Sequence, residues 1–406
     1  MPKGRTKWSV KKKTKQPQHV LGREANAPNA TEWSSMTPYN TFQVADENDV
    51  GYDFSVQDVV CVLPNGRQVG APIELHEYWT CRILDIRARN ETDVWVKIEW
   101  FYSAQDAARE NSTFVASHCG QYERLKSNHT DCVSTSVFNG LASMKYYDET
   151  NLNQEPIFAD DFYYRYTIDL PDLSISPTPA ATCVCGCLYD PSDTAPGSVM
   201  HLCPRPECRK YYHRGCISPS KGKGAHTSPF HRVDFLLTDV DTGVALELPL
   251  NESASAEPPK KRRRASHVTD PAAFSAPIAA LPQQLVRAAA QPIVRGGVLG
   301  VAGNVAAVVA ARRLVCRALR DEDAVDAWAD QMPKDWEKSM PDGWDAEAIE
   351  FDAAEVTDDG VQNSESNISV SGGNRRKGAK GKKKAIAATT DSTMRVLPCP
   401  ACGGAI

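Results

Sequence analysis

WTCRILDIRARNETDVWVKIEWFYSAQDA, running from Trp79 to Ala107, decides how the first half of this chain folds. Two runs, residues 78–86 at its start and 94–102 within it, are rich in β-branched and aromatic residues, and Asn90-Glu91-Thr92-Asp93 between them is turn chemistry. The pattern predicts paired strands. Alternation places Trp100 and Tyr102 on one strand face and Trp95 on the opposite one. Outward from this stretch, DVVCVL (58–63) and FYYRYTIDL (162–170) have the same texture, and Pro64-Asn65-Gly66 is a further turn. Several short strands with little helix between them predict a compact mixed β barrel over residues 51–172.

The chain has 406 residues, enough for two or three domains, with 41% hydrophobic and 24% charged residues. Its formal charge of −5 hides blocks of opposite sign. Met1–Pro17 carries seven Lys/Arg and no acid, Lys260–Arg264 is an unbroken basic run, and Asp321–Asp359 holds fifteen acids against two lysines. That distribution excludes a protein uniformly coated for nucleic acid and leaves local basic contacts open. No apolar run reaches the roughly 18 residues of a membrane span, and the basic N-terminus lacks the apolar core of a secretory signal. Thirteen cysteines without such a signal point to reduced thiols or metal rather than disulfides.

The densest chemistry is Cys183-x-Cys185-x17-Cys203-x4-Cys208-x4-His213-x2-Cys216. Zinc takes four such ligands in a tetrahedron, and structural sites are closed by Cys and His. Six ligands fall two short of two sites, and Cys399-x2-Cys402 is the one C-x2-C pair in the chain. Either it completes the second site or it forms a separate knuckle. Cys187 reads as a bystander; Cys61, Cys81, Cys119, Cys132 and Cys316 read as packing residues. Neither an HExxH nor an HxE…PCxxC pattern occurs, so the metal is expected to be structural.

MHLCPRPECRKYYHRGC (200–216) resembles a plant homeodomain (PHD) finger, which holds two interleaved zinc ions. The resemblance implies that Cys183, Cys185, His213 and Cys216 hold one zinc, and Cys203, Cys208, Cys399 and Cys402 the other. The finger would then be split by a long insertion, which loop entropy tolerates because it grows only logarithmically with length. It further implies an added-strand site for the histone H3 tail along residues 198–203. Tyr189, Met200 and Tyr211 would be candidate cage residues for a methylated lysine, and Asp190 and Asp193 could meet a basic tail. The plain alternative is that Met200 and Tyr211 only pack the finger. A RING-type ubiquitin ligase uses similar ligands and is the enzyme alternative; the single histidine in fifth place and Tyr211-Tyr212 before it favour the PHD resemblance.

The stretch from Trp79, followed by Ser127-Asn128-His129-Thr130-Asp131 and by Phe162–Tyr166, resembles a bromo-adjacent homology (BAH) domain over about 120 residues. The combination of BAH and PHD modules resembles fungal and plant histone readers. It implies an aromatic cage of Trp79, Trp100 and Tyr102 for a trimethylated lysine, with His129 and Asp131 contacting the flanking peptide. The plain alternative makes those aromatics barrel packing.

The remaining segments complete a multidomain plan. Residues 1–50 read as a basic disordered tail and 183–216 as the finger's first six ligands. Residues 217–280 are a linker with possible strands at 233–237 and 244–248. That linker carries Lys260, Lys261, Arg262, Arg263 and Arg264 as a nuclear localisation signal. Residues 281–320 read as a helical insertion, with PIVRGG and GVAGN as turns. The stretch 321–359 is acidic with Trp328, Trp336 and Trp344, either packed or a partner site; 360–395 is a linker, and 396–406 closes the finger. The expected function is a non-enzymatic nuclear chromatin reader binding the histone H3 tail, the nucleosome and other chromatin-complex subunits through a BAH module and a PHD finger that holds two zinc ions. Its basic runs would touch DNA non-specifically, no membrane would be involved, and a non-reading scaffold subunit is the second non-enzymatic alternative.

Overall fold

The computed structural model describes residues 8–11, 26–45, 50–64, 73–217, 233–246, 277–320, 327–342, 344 and 396–406. The expected nuclear signal Lys260–Arg264 and the 360–395 linker lie outside the described residues.

Among the described residues, twelve strands build the N-terminal half: β1 (Trp8–Lys11), β2 (Thr37–Tyr39), β3 (Thr41–Ala45), β4 (Gly51–Ser55), β5 (Val59–Val62), β6 (Trp79–Asn90), β7 (Asp93–Ser103), β8 (Glu123–Ser134), β9 (Phe138–Ala142), β10 (Met144–Tyr146), β11 (Phe162–Asp169) and β12 (Ser174–Ser176). Trp79–Ser103 is the hairpin β6–β7, paired from Thr80↔Phe101 to Asn90↔Asp93 with register shifts at Ile83/Asp85 and Ala88/Asn90. Its turn is closed by Asn90, whose Oδ1 accepts from the Thr92 amide and hydroxyl, each at 3.0 Å. The main sheet runs β10-β11-β8-β7-β6-β5-β9, with β2 on β6 and β12 on β11. Among the described residues no ladder joins β10 to β9, so the expected barrel is an open mixed sheet. Residues 174–176, beyond the expected 51–172 barrel, form its strand β12.

A second sheet, β1-β3-β4, covers one face of this one. Its anchor is an aromatic trio: Phe42 stacks on Phe54 with ring centroids 5.1 Å apart, and both meet Phe138 of β9 at 5.5 and 5.7 Å. All three rings are at most 1% exposed, beside Ile83, Ile86, Val96 and Ile98. Burying each contributes roughly 1.5–3 kcal/mol. The expected disordered tail is therefore corrected over residues 26–45. Asn29 caps a helix at Ala30–Ser35 by accepting from the Glu32 amide, and TFQVA alternates as a half-buried strand should.

The C-terminal half adds β13 (Met200–Leu202), β14 (Tyr211–His213) and β15 (Val294–Arg295), which form one small sheet in the order β14-β13-β15. Helices Gln283–Ala289 and Val305–Arg320 pack on it. Residues 281–320 thus hold two helices, but within PIVRGG the residues Val294–Arg295 form a strand on β13 rather than a turn. Val233–Leu236 is a short helix, not a strand; the chain reverses after it, pairing Thr238 with Ala245. The tryptophans of the acidic stretch form a ladder, with centroid separations of 6.0 Å (Trp328–Trp336) and 5.2 Å (Trp336–Trp344). Trp336 is buried, so the ladder packs against the protein's own core.

The two halves share that core. Tyr147, Leu152, Ile157 and Tyr163 of the β-rich half join Tyr189, Met200 and Tyr211 of the finger, the insertion helices, and Leu397 and Ile406 near the chain end. A buried ionic chain crosses the same boundary. Arg165 grips Glu123 through Nε at 2.7 Å and Nη2 at 2.9 Å, and reaches Glu149 through Nη1 at 2.8 Å; Arg295 pairs with Glu149 at 2.7 Å. Breaking such a pair from one side strands a charge and costs about 3–5 kcal/mol.

Candidate metal centre and candidate aromatic binding site

Two groups of four ligands come together. Cys183, Cys185, His213 and Cys216 form one, and Cys203, Cys208, Cys399 and Cys402 the other, with ligand atoms within 4.8 Å of one another in each. The membership is the one implied by the PHD resemblance, and residues 396–406 do reach the finger. In the second group Cys203 Sγ lies 3.6 Å from Cys402 Sγ, and Cys208 Sγ lies 3.6 Å from Cys399 Sγ. A tetrahedron of zinc–sulfur bonds of about 2.3 Å has edges of about 3.8 Å, so the spacing and the donor set both suit zinc. Cys185 Sγ stands 3.4 Å from His213 Nδ1 in the first group.

Local structure explains why these atoms converge. Cys203 directly follows β13, a turn of Arg205–Cys208 brings the next thiol round, and β14 delivers His213 to a short helix ending past Cys216. At the chain end, Leu397 and Ile406 exchange both backbone hydrogen bonds at 2.9 and 2.8 Å. Gly403, at φ +71°, turns the chain so that its amide donates to the Cys399 carbonyl at 2.9 Å. Arg205 Nη1 faces Cys203 and Cys402 at 3.8 Å each, a guanidinium placed to offset thiolate charge. Cys187 stays outside both groups and donates its amide to Cys185 Sγ at 3.4 Å. All four positions of each group are protein ligands, the arrangement of a structural site. Of the scattered cysteines, Cys61, Cys81, Cys119 and Cys316 are buried and Cys132 is half-buried. Burial pushes the Cys61 thiol up to about 11.

The expected cage of the finger is assembled but closed. Tyr189, Met200 and Tyr211 do meet, at 5%, 1% and 4% exposure, and what fills the space between them is Arg295. The expected free edge of β13 is paired with β15. An open histone site at these residues is therefore corrected: the insertion supplies both the strand and the cation. Asp190 and Asp193 cap local turns, accepting from the Ser192 and Ala195 amides.

The aromatic set of the β-rich half is open. A cavity of about 320 Å³ is lined by Trp79, Trp100, Phe101, Tyr102, Asp106, Arg109, Glu110 and His129. Trp79 and Trp100 meet edge to face, centroids 5.9 Å apart at 86°. Tyr102 Oη lies 3.0 Å from His129 Nδ1, which fixes both rings. The β7–β8 register slips between Glu99 and Phe101, leaving Trp100 outside the ladder, and Ser127 donates to its carbonyl at 2.7 Å. Such a bulge re-aims a side chain, which is how neighbours Trp100, Phe101 and Tyr102 all reach one cavity. Asp131 is not on its wall; its carboxylate accepts from the Cys132 amide instead. The carboxylates present are Asp106 and Glu110, on the helix Ala104–Glu110 that follows β7. Asp106 is held by Ser103 at 2.6 Å and Arg109 at 2.7 Å, while Glu110 is exposed. Burial, then Glu110 and Asp106, push the Tyr102 phenol up, a mark of the negative field at this wall. Sequence reasoning missed both acids; the S-x-x-D pattern Ser103–Asp106 that caps this helix is the local signal for Asp106.

No family model matches this chain, and no curated protein matches it in sequence. A search of solved structures finds a likeness to the crystal structure of the yeast Rsc2 BAH domain, with TM-score 0.24 and 10% sequence identity. The match covers 34% of this chain and 54% of that one, so it spans about half the length of the structure it resembles.

Proposed function

We propose that this chain is a non-catalytic chromatin-associated reader whose β-rich half takes a methylated lysine of a histone tail. Two zinc ions would hold the Cys/His half in shape. The observation that supports this most is the open cavity walled by Trp79, Trp100 and Tyr102 with Asp106 and Glu110 beside them. A quaternary ammonium has no N–H to donate, so ring faces recognise it by cation–π attraction. Nearby carboxylates add Coulomb attraction for a basic tail. In this reading the partners are the nucleosome and other subunits of a chromatin complex, the site of action is the nucleus, and the outcome is regulation of transcription or silencing.

The test is calorimetric titration of the zinc-loaded full chain with methylated and unmodified histone peptides, beside Trp79→Ala and Tyr102→Ala. Removing one wall should lose about 1–2 kcal/mol, roughly 5- to 30-fold in Kd. A peptide carrying a neutral carbon isostere of trimethyllysine should bind more weakly than the cation of the same shape. Equal affinity for methylated and unmodified peptides would sink the proposal.

A further inference from the structure

Arg295 is a guanidinium at 1% exposure, set where three separate segments of the chain meet. It lies over the rings of Tyr189 at 3.9 Å and Tyr211 at 3.7 Å. Its Nη1 donates to Tyr147 Oη at 2.8 Å and pairs with Glu149 at 2.7 Å, and its Nη2 faces Met200 Sδ at 3.5 Å. Nε has no hydrogen-bond partner, so stacking on the rings is its contact. The backbone that carries it lies antiparallel on β13, with Met200 opposite Arg295 and His201 opposite Val294, and the Leu202 amide donates to the Ile293 carbonyl at 2.9 Å. Strand pairing for affinity and a side-chain pocket for selectivity are together the means by which a sheet edge recognises a peptide.

We infer that the finger carries an arginine-binding socket, walled by Tyr189, Met200 and Tyr211 and closed by Tyr147 and Glu149 of the β-rich half, whose ligand is Arg295 of this same chain. The walls select arginine over lysine because a planar guanidinium stacks on ring faces while donating in its own plane. The ligand is also held in shape before it enters. Asn304 accepts from the Val294 amide at 2.8 Å, donates to the Pro292 carbonyl at 3.1 Å, and gives its own amide to the Val294 carbonyl at 3.0 Å. Gly303, at φ +66°, lies so close to Val294 that a Cβ would collide with its carbonyl. Tyr189 Oη donates to the Val301 carbonyl at 2.9 Å, tying the socket wall to the ligand's own loop. A basic peptide from outside would compete with a ligand delivered at high effective concentration. The finger is thus a clasp joining the insertion to the β-rich half, and peptide reading falls to the open cavity. The socket stands on the contacts of Arg295 alone; only the assignment of peptide reading to the open cavity rests on the proposed function.

Hydrogen exchange on the zinc-loaded full chain tests it. Arg295→Ala should speed exchange at the Leu202 and Val294 amides at least tenfold, and millimolar ethylguanidinium should restore part of that protection where tetramethylammonium does not. Should Arg295→Ala fail to fold, Arg295→Lys keeps the charge and stem and should show a several-fold loss at the same amides. Wild-type protection in these variants overturns the socket, and so does equal rescue by both cations. Loss of methyl-lysine peptide affinity in Met200→Ala, with Trp79 and Tyr102 intact, overturns the clasp.

Discussion

Replacing Cys399 and Cys402 together by serine removes two of the four ligands of the second group and leaves Cys203 and Cys208 in place. Cys208 and Cys399 are 191 positions apart. Closing a loop of that size costs roughly 5 kcal/mol of chain entropy, from (3/2)RT ln n and a constant. Structural zinc supplies on the order of 10–16 kcal/mol in zinc-finger peptides near neutral pH, so a complete site closes the loop with a surplus. Two thiolates alone do not bridge the loop, and the surplus is lost. The double variant should hold one zinc per chain instead of two. The Leu397–Ile406 segment should become open to protease, because beyond the second metal group it is held by a few buried contacts, Leu397 and Ile406 on the main core and Val396 and Ala405 on Phe235. Metal content by mass spectrometry reads the first effect and limited proteolysis the second. A double variant that still binds two ions refutes both the shared second site and the reasoning from loop closure.

Two further outcomes are expected. Burial alone would raise the Glu149 carboxyl, but Arg295 and Arg165 beside it hold it at about 2. Its ionised form therefore stabilises the fold fully above the ordinary value of 4.5, and that contribution drains away as pH falls toward about 2. Glu149→Gln should remove this part of the slope in urea unfolding curves measured across that window. Metal leaves both proteins in acid, so the difference between them isolates the carboxylate, and parallel curves would refute the assignment. Phe42→Ala should cost about 3–5 kcal/mol in denaturant unfolding, because the ring is fully buried against Phe54 and Phe138. A loss under about 1 kcal/mol would show that residues 41–55 do not belong to the core.

What could be read from the sequence follows a physical division. The β6–β7 hairpin announced itself because period-two patterning and an Asn/Asp turn are local. The metal groups were legible because ligand types and spacings are chemical, though the joining of Cys399 to Cys203 came from a resemblance and not from the residues between. Phe42 and Val44 were missed because a polar, lysine-rich flank masked a five-residue alternation. Asp131 came from the BAH resemblance alone, whereas Asp106 and Glu110 reach the cavity from the helix that follows β7, which the resemblance did not single out. PIVRGG was read as a turn from its glycines, when Gly296 and Gly303 instead let a strand enter the finger. No local pattern shows that an arginine will find two tyrosines about a hundred residues upstream.

The 191 positions between Cys208 and Cys399 also set a clock. A ribosome adding about 5–20 residues per second takes roughly 10–40 s to cross them. The first group is complete in sequence once Cys216 has been made, 33 positions after Cys183. The second group then waits with two thiols and no partners. If both groups take metal, synthesis makes them unequal: the first can load early, while Cys203 and Cys208 must be kept reduced and free of other metals until Cys399 and Cys402 arrive.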